Sequence, residues 1–371
     1  MVNSAAAGAG ISRGRSVADA TDPSAPVSRA AGSFLTIQAL RAVAALLVVV
    51  YHAFEMWELR ITRGAAGPSW TNGAAGVDIF FVISGFVMVV SSQRLPARAR
   101  AGLIFFRHRI VRIVPLYWLL TTLKLALVFF FADLALRSTL DVDYVARSYL
   151  FLPLVDSAGH FRPLLPIGWT LTYEFLFYLL FALALGLRVD ALRVLIPAFA
   201  VIVVLALVRS DGWPAWTILF STIVLEFLFG VTLGKATLRG RAMPPSLASG
   251  ALLVGFALIL VIPEGHENVR VLAWGLPAFA IVAGAVALEK RIAAILPRWL
   301  LALGDASYSI YLVHGFVLPA VGLGIVALHW ETTAAEAVTV TACLVAGSAA
   351  GWIVYVLVER PMTIGPKKRN G

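Results

Sequence analysis

The sequence predicts an all-α fold, a polytopic integral membrane helix bundle with about ten transmembrane helices. Of its 371 residues, 60% are hydrophobic and only 13% are charged, which is more apolar surface than a water-soluble chain of this length can bury. Apolar runs long enough to cross a hydrocarbon core of ~30 Å recur along the chain. Lysine and arginine cluster in alternate connections between these runs, as they do in multi-pass membrane proteins.

The chain divides into two tails and a membrane domain. Residues 1–33 are rich in Ala, Ser, Gly and Pro and lack the apolar core of a signal peptide, so they predict a disordered cytoplasmic tail. Residues 34–361 form the predicted membrane domain, and 362–371 form a short basic cytoplasmic tail. The predicted spans are 35–57, 77–90, a third ending near 131, 168–187, 193–208, 214–234, 247–263, 271–288, 303–328 and 337–358.

The basic residues predict the orientation. With the N-terminus in the cytoplasm, 22 of the 30 lysines and arginines fall on the inner side, so both termini are expected to be cytoplasmic. The net charge of +10 then follows from topology, and no nucleic-acid partner is predicted. Cys343 is the single cysteine, which excludes an intrachain disulfide and a cysteine metal cluster. We predict no metal site.

The stretch that organises the chain is 37–53, IQALRAVAALLVVVYHA. Its two ionisable residues, Arg41 and His52, are eleven positions apart, which is roughly 16 Å and about three turns of one helix face. Ionisable groups at such depths are costly unless they face the protein interior, so the pair predicts a functional site. The alternative is an arginine that snorkels to the interface and a histidine that bonds to a neighbouring helix.

Two further arginines are predicted at the level of Arg41. Arg109 and Arg112 are spaced i, i+3 at the start of the third span, so they share a helix face. Three guanidiniums at one level form a phosphate site, because arginine binds phosphate in a bidentate manner. Ordinary anchoring of a helix by basic residues is the alternative explanation.

An outer layer of polar residues is predicted around His52. Asp78 begins the second span and Glu174 lies one to two turns into the fourth. Asp78 would hold the tautomer of His52, as a carboxylate does in a catalytic dyad, and Glu174 would orient an acceptor or share a proton. Asp78 also fits a simple helix cap.

Four secondary candidates complete the predicted site. Trp169 and Tyr173 are near the outer end of the fourth span, where they also fit an interfacial aromatic belt. Tyr311 and His314 fall on adjacent faces of the ninth span, and a lone histidine there also fits a packed hydrogen-bond donor. Phosphate-binding cations inside and a base further out match a coenzyme A thioester, whose head stays in the cytoplasm while its reactive end reaches outward.

The motifs resemble the membrane-bound acyltransferase 3 family, most closely its exopolysaccharide-production O-acetyltransferase subgroup. The resemblance covers about 35–361 and rests on Arg41 with His52, GVDIFFVISGF at 76–86, Arg109 with Arg112, Trp169 to Glu174, SYSIYLVH at 307–314 and Glu359-Arg360-Pro361. It implies an acetyl-CoA or other acyl-CoA donor, and a carbohydrate or lipid-linked oligosaccharide acceptor. It also implies essential roles for Arg41 and His52, and involvement of Arg109 and Arg112.

A transporter of a carbohydrate or lipid-linked intermediate is the alternative function, because proton-coupled transport also uses ionisable residues within the membrane. The sequence shows no repeat of the kind common in secondary transporters. An acyltransferase would consume acyl-CoA, held as a substrate rather than as a permanent cofactor, whereas a transporter would not.

Overall fold

The structure is a computed structural model that describes residues 34–62, 70–95, 100–130, 141–156, 159–210, 212–263, 269–327 and 333–363. The predicted tail at 1–33 lies outside these residues, as does 364–371 of the predicted C-terminal tail.

The described chain is helical and contains no strand. Its helices are α1 (Leu35–Trp57), α2 (Gly76–Ser92), α3 (Ala101–Phe130), α4 (Val142–Tyr149), α5 (Trp169–Gly186), α6 (Ala191–Val208), α7 (Val224–Leu238), α8 (Pro245–Val261), α9 (Leu276–Ala287), α10 (Glu289–Ile292), α11 (Arg298–Asp305), α12 (Ser307–Ala327), α13 (Thr333–Val354) and α14 (Arg360–Thr363). Short π-helical segments extend α1, precede α9 and follow α13, at Glu58–Thr62, Val271–Gly275 and Tyr355–Glu359.

The predicted all-α membrane bundle is confirmed. Eight helical segments of the described chain are long and apolar enough to cross a membrane, and two shorter apolar segments, Pro245–Val261 and Val271–Ala287, lie where the seventh and eighth spans were predicted. The ten segments therefore match the ten predicted spans in position. The eighth is shortened because a π-helical turn at Val271–Gly275 precedes α9.

Helices α2 and α7 touch backbone to backbone. A Cβ atom placed on Gly85 would lie 2.1 Å from the Phe227 carbonyl oxygen, and one on Gly230 would lie 2.0 Å from the Val82 carbonyl oxygen. The rings of Phe81 and Phe227 stack beside this crossing, with centroids 4.5 Å apart. Small residues in apolar helices allow this close approach.

We expect Gly85→Ala to destabilise the protein by about 1 to 3 kcal/mol, the usual cost of overpacking a filled interior. Gly250→Ala is the matched control, because a Cβ atom at Gly250 of α8 would meet nothing within 4 Å and alanine favours a helix over glycine. Thermal unfolding in detergent should show a lower midpoint for the first variant only. Equal midpoints would show that the crossing relaxes without cost.

Contacts between helix ends place the start of α1 at one end of the bundle. Both carboxylate oxygens of Glu289 accept hydrogen bonds from the first turn of α1, from the Leu35 and Thr36 backbone nitrogens at 2.9 Å. A carboxylate at a helix N-terminus satisfies free N–H groups and complements the helix dipole. Asp190 caps the N-terminus of α6 and accepts a hydrogen bond from Lys235 of α7; this bond lowers the pKa of the Asp190 carboxyl.

Candidate active site

Three arginines line one elongated cavity of about 120 Å³ inside the bundle. Arg41 comes from α1, and Arg109 and Arg112 come from the first half of α3. We call the end of the bundle that carries these three residues the arginine end. The remaining walls are mainly apolar and aromatic side chains of α2, α3, α5 and α12: Val77, Phe80, Phe81, Ile83, Val87, Met88, Ile113, Leu171, Tyr178, Tyr308 and Tyr311.

Two polar atoms on the cavity wall are buried without a hydrogen-bond partner, Arg109 Nε and Ser307 Oγ. Leaving a buried polar group unpaired costs about 1 to 3 kcal/mol, and more for a charged group. The Arg109 guanidinium also lies 5.6 Å from the centroid of the Phe105 ring. The cavity therefore offers an unused cationic donor to a ligand that carries acceptor oxygens.

A wider cleft of about 740 Å³ opens beside the cavity. Arg41 and Arg112 line both spaces, so the cleft and the cavity meet at these two side chains. The cleft is polar, and its other charged or ionisable lining residues are Arg107, His108, Asp305 and Glu359. Arg107 and His108 are exposed, so the cleft presents basic groups to solvent.

The structure places Glu174 in the arginine cavity, which corrects its predicted grouping with His52. Its Oε1 accepts hydrogen bonds from Ser84 Oγ at 3.0 Å and from the Tyr178 hydroxyl. Glu174 lies five residues inside α5, roughly 7.5 Å from the helix start, and it points toward α2. The hydroxyl of Ser84 on α2 therefore helps to hold this carboxylate.

Asp78 is likewise separate from His52. It is fully buried and forms a two-point ion pair with Arg270, at 2.7 Å from Nη2 to Oδ2 and 3.2 Å from Nε to Oδ1. The Glu226 carboxyl, also fully buried, lies beside Asp78. Both oxygens of Asp78 thus pair with the planar guanidinium of Arg270, whereas the sequence had predicted His52 as the partner of Asp78.

His52 lies at the opposite end of α1 from Arg41, beside a second histidine. The ring centroids of His52 and His314 are 5.0 Å apart, and His314 is fully buried. Tyr311 links this pair to the cavity, because its ring lines the cavity and lies 6.0 Å from the His314 ring. Its hydroxyl lies 3.1 Å from Thr170 Oγ1. Starting from the cavity, the successive side chains are therefore Tyr311, His314 and His52.

A family model described as an acyltransferase domain matches residues 34–356. The chain belongs to the acyltransferase 3 family. It is 36% identical to the exopolysaccharide production protein ExoZ of Rhizobium meliloti over 304 residues, which cover 80% of this chain and 91% of ExoZ. It is 26% identical to the acyltransferase MdmB of Streptomyces mycarofaciens over 78% of this chain and 81% of MdmB.

A more distant relative is the O-acetyltransferase OatA of Staphylococcus aureus. Here the identity is 28% over 40% of this chain and 24% of OatA. No solved structure matches the chain significantly. Family membership and the apolar helices make the protein a multi-pass membrane acyltransferase, so the alternative of a transporter is not favoured.

In this acyltransferase, Trp169 and Tyr173 lie off the cavity wall. Their rings pack edge to face with centroids 6.0 Å apart, and the Tyr173 hydroxyl donates to the Ile218 carbonyl at 2.7 Å. Within the described residues, no group of three or more His, Cys, Asp and Glu side chains could hold a metal ion.

Several residues at the site were missed by the sequence analysis. The hydroxyl of Ser307 had no signal beyond its place in SYSIYLVH. Arg270 and Glu226 are ionisable residues in predicted spans or at their borders, which is the signal that could have found them. Glu55 lies one turn after His52 on the same helix, a spacing that was available from the sequence.

Proposed function

We propose that this acyltransferase is an O-acetyltransferase of the bacterial cytoplasmic membrane. It takes the acetyl group of acetyl-CoA from the cytoplasmic side and transfers it to a hydroxyl of an exopolysaccharide or another cell-surface carbohydrate. The observation that carries this proposal is the meeting of Arg41, Arg109 and Arg112 at a cavity that leads toward His52. The similarity to ExoZ and OatA supports the acceptor class and the acetyl group.

In this proposal the donor extends across the two spaces that Arg41 and Arg112 both line. The phosphates of coenzyme A bind at Arg41 and Arg112, which border both spaces, and at Arg109, whose Nε has no hydrogen-bond partner. Arginine suits this role because its fork matches phosphate oxygens. The uncharged pantetheine arm then extends into the mainly apolar cavity, so the thioester reaches the level of Tyr311.

His52 carries out the transfer in this proposal. As a general base, it takes the proton of the acceptor hydroxyl while the hydroxyl oxygen attacks the thioester carbonyl carbon. The carbon–sulfur bond breaks, and the departing sulfur receives the proton from the imidazolium. The products are the acetyl ester and free coenzyme A. In the other route the ring of His52 accepts the acetyl group first and passes it to the hydroxyl.

The arginine end faces the cytoplasm in this proposal. Apart from Arg41, Arg109 and Arg112, most basic residues of the described chain lie in connections that the alternation of the spans puts on the same side as the start of α1. The positive-inside rule requires that side to be cytoplasmic. These basic residues include Arg188, Arg193, Lys235, Arg239, Arg241, Lys290, Arg291, Arg298 and Arg360.

We expect a reporter fused after Arg360 to be active only in its cytoplasmic form. The same reporter inserted in 63–69, the connection after α1, should be active only in its periplasmic form, because a single crossing separates this connection from the start of α1. The activity of both fusions in cells checks the orientation. A C-terminal fusion that is active in the periplasm would contradict it.

The direct test is acetyl transfer by the purified protein in proteoliposomes. Radiolabelled acetyl-CoA and crude polysaccharide intermediates should together yield label that mild base releases from carbohydrate, as an ester requires. Proteoliposomes with His52→Ala protein are the matched control. Carbohydrate movement across the membrane without consumption of acetyl-CoA would instead support a transporter and contradict the proposal.

A further inference from the structure

We infer that Glu55 is a positioning residue for His52, a role that rests on the proposed function. Glu55 follows His52 by three residues on α1, so the two side chains share one helix face. Glu55 Oε2 lies 3.9 Å from His52 Nδ1, and both side chains keep 29% of their surface exposed. The carboxylate next to the predicted base is therefore Glu55 rather than Asp78.

His52 needs a group at its Nδ1 atom to act as a base. Nδ1 is buried without a hydrogen-bond partner. A neutral imidazole carries one proton, which can lie on either nitrogen. An acceptor at Nδ1 selects the tautomer whose Nε2 is free to take a proton, and it also stabilises the imidazolium that forms. A carboxylate on the next turn of the same helix supplies that acceptor.

Glu55 is held close to this position by Arg162. Arg162 Nη2 lies 3.9 Å from Glu55 Oε1, so one carboxylate oxygen faces the guanidinium and the other faces the imidazole. The Arg162 backbone is itself fixed, because its carbonyl accepts a hydrogen bond from the Tyr144 hydroxyl at 2.6 Å. Catalytic hydrogen bonds are often long in a free enzyme and shorten in the substrate complex. In the inferred role, rotation of the Glu55 side chain shortens the 3.9 Å distance between Glu55 Oε2 and His52 Nδ1.

The ionisable groups around His52 come from three parts of the chain. Helix α1 contributes Glu55 and the neutral phenol of Tyr51, the segment between α4 and α5 contributes Arg162, and α12 contributes His314. His314 Nδ1 lies 3.2 Å from the Ile310 carbonyl oxygen, and its Nε2 is buried without a partner. Among these neighbours Glu55 alone carries negative charge, so it alone stabilises a proton on the His52 ring.

The kinetic test replaces Glu55 by glutamine, which keeps the size and removes the charge. We expect kcat to fall about 10- to 100-fold, the effect of removing the hydrogen-bond partner of a metal-ligating histidine, while KM for acetyl-CoA stays within about 2-fold. Glu55→Asp should keep more activity than Glu55→Gln, because it retains a carboxylate. Glu58→Gln, the same change one turn further along, is the matched control and should behave as wild type.

A double variant shows whether Glu55 acts through His52. If it does, Glu55→Gln adds no further loss in a His52→Ala background, because coupled residues are not additive. A wild-type kcat in Glu55→Gln would overturn the inference, as would an equal fractional loss in the two backgrounds.

A nitrogen NMR spectrum of histidine-labelled protein tests the contact without any donor. The resonances of His52 are assigned by their loss in His52→Ala. Wild type should show the proton on Nδ1, and Glu55→Gln should lose this preference; an unchanged tautomer would overturn the inference. If wild type transfers no acetyl group at all, the proposed function fails, and the spectrum alone decides whether Glu55 orients His52.

Discussion

Replacing His52 by alanine is expected to lower the rate of acetyl transfer by about 10²-fold to 10⁴-fold, the usual contribution of a general base. Binding of acetyl-CoA should change little, because His52 lies roughly 16 Å along α1 from Arg41 and does not line the arginine cavity. The measurement is the transfer rate in proteoliposomes together with a binding isotherm for acetyl-CoA.

His160→Ala is the matched control for this prediction. His160 precedes Arg162 by two residues in the connection between α4 and α5. Its side chain is 57% exposed, and it takes no part in the proposed chemistry. It should transfer acetyl groups within about 2-fold of wild type. Wild-type turnover in His52→Ala would remove His52 from the mechanism.

The two routes through His52 differ in the absence of an acceptor. A covalent route accumulates acetyl-His52, which rapid quenching and mass spectrometry of the peptide around 52 would detect. A general-base route leaves the imidazole unmodified.

The arginine cavity could be predicted from the sequence because helix geometry fixes most of it. Arg109 and Arg112 must share a face at i, i+3, and the positive-inside rule places the start of α3 at the same level as Arg41. The predicted depth of each arginine in the membrane was therefore enough to place the three side chains at one level. In the structure all three line one cavity.

The structure gives the two carboxylates predicted around His52 other partners, because depth in the membrane does not fix the direction in which a side chain points. Asp78 and Glu174 were grouped with His52 only by their predicted depth in the membrane. The partner of each carboxylate depends instead on which helix its side chain faces. Asp78 faces Arg270, which is 192 residues away in the chain, and Glu174 faces Ser84 on α2. No periodicity in one helix encodes such long-range pairs. By contrast Glu55 is local to His52, and helix spacing alone would have found it.

The fold shows the same division between local and long-range information. The ten apolar segments follow from composition and length, and they match the structure. The anchoring of α1 by Glu289 joins residues more than 250 positions apart, so it could not be read from either segment. This contact matters for the site, because it holds the turn of α1 that precedes Arg41.

Replacing Arg109 or Arg112 by lysine is expected to weaken acetyl-CoA binding by about 1 to 3 kcal/mol, or about 5- to 150-fold in Kd. Lysine keeps the charge that sets the topology but lacks the planar fork that pairs with phosphate oxygens. Arg112 borders both the cleft and the cavity, and Arg109 Nε is buried without a partner, so both guanidiniums are available to the donor. The measurement is equilibrium binding of acetyl-CoA to purified protein.

Arg193→Lys supplies the matched control, because Arg193 is exposed on α6 and lines neither the cavity nor the cleft. If Arg109 and Arg112 only anchor the helix, all three lysine variants should bind acetyl-CoA alike.

Dephospho-CoA, which lacks the 3′-phosphate, shows which phosphate each arginine contacts. If the lysine variant discriminates the two ligands less than wild type, the replaced arginine contacts the 3′-phosphate; equal discrimination with weaker binding assigns it to the pyrophosphate. Unchanged affinity in the lysine and alanine variants of both residues, in correctly inserted protein, would leave Arg41 as the remaining phosphate ligand of the three.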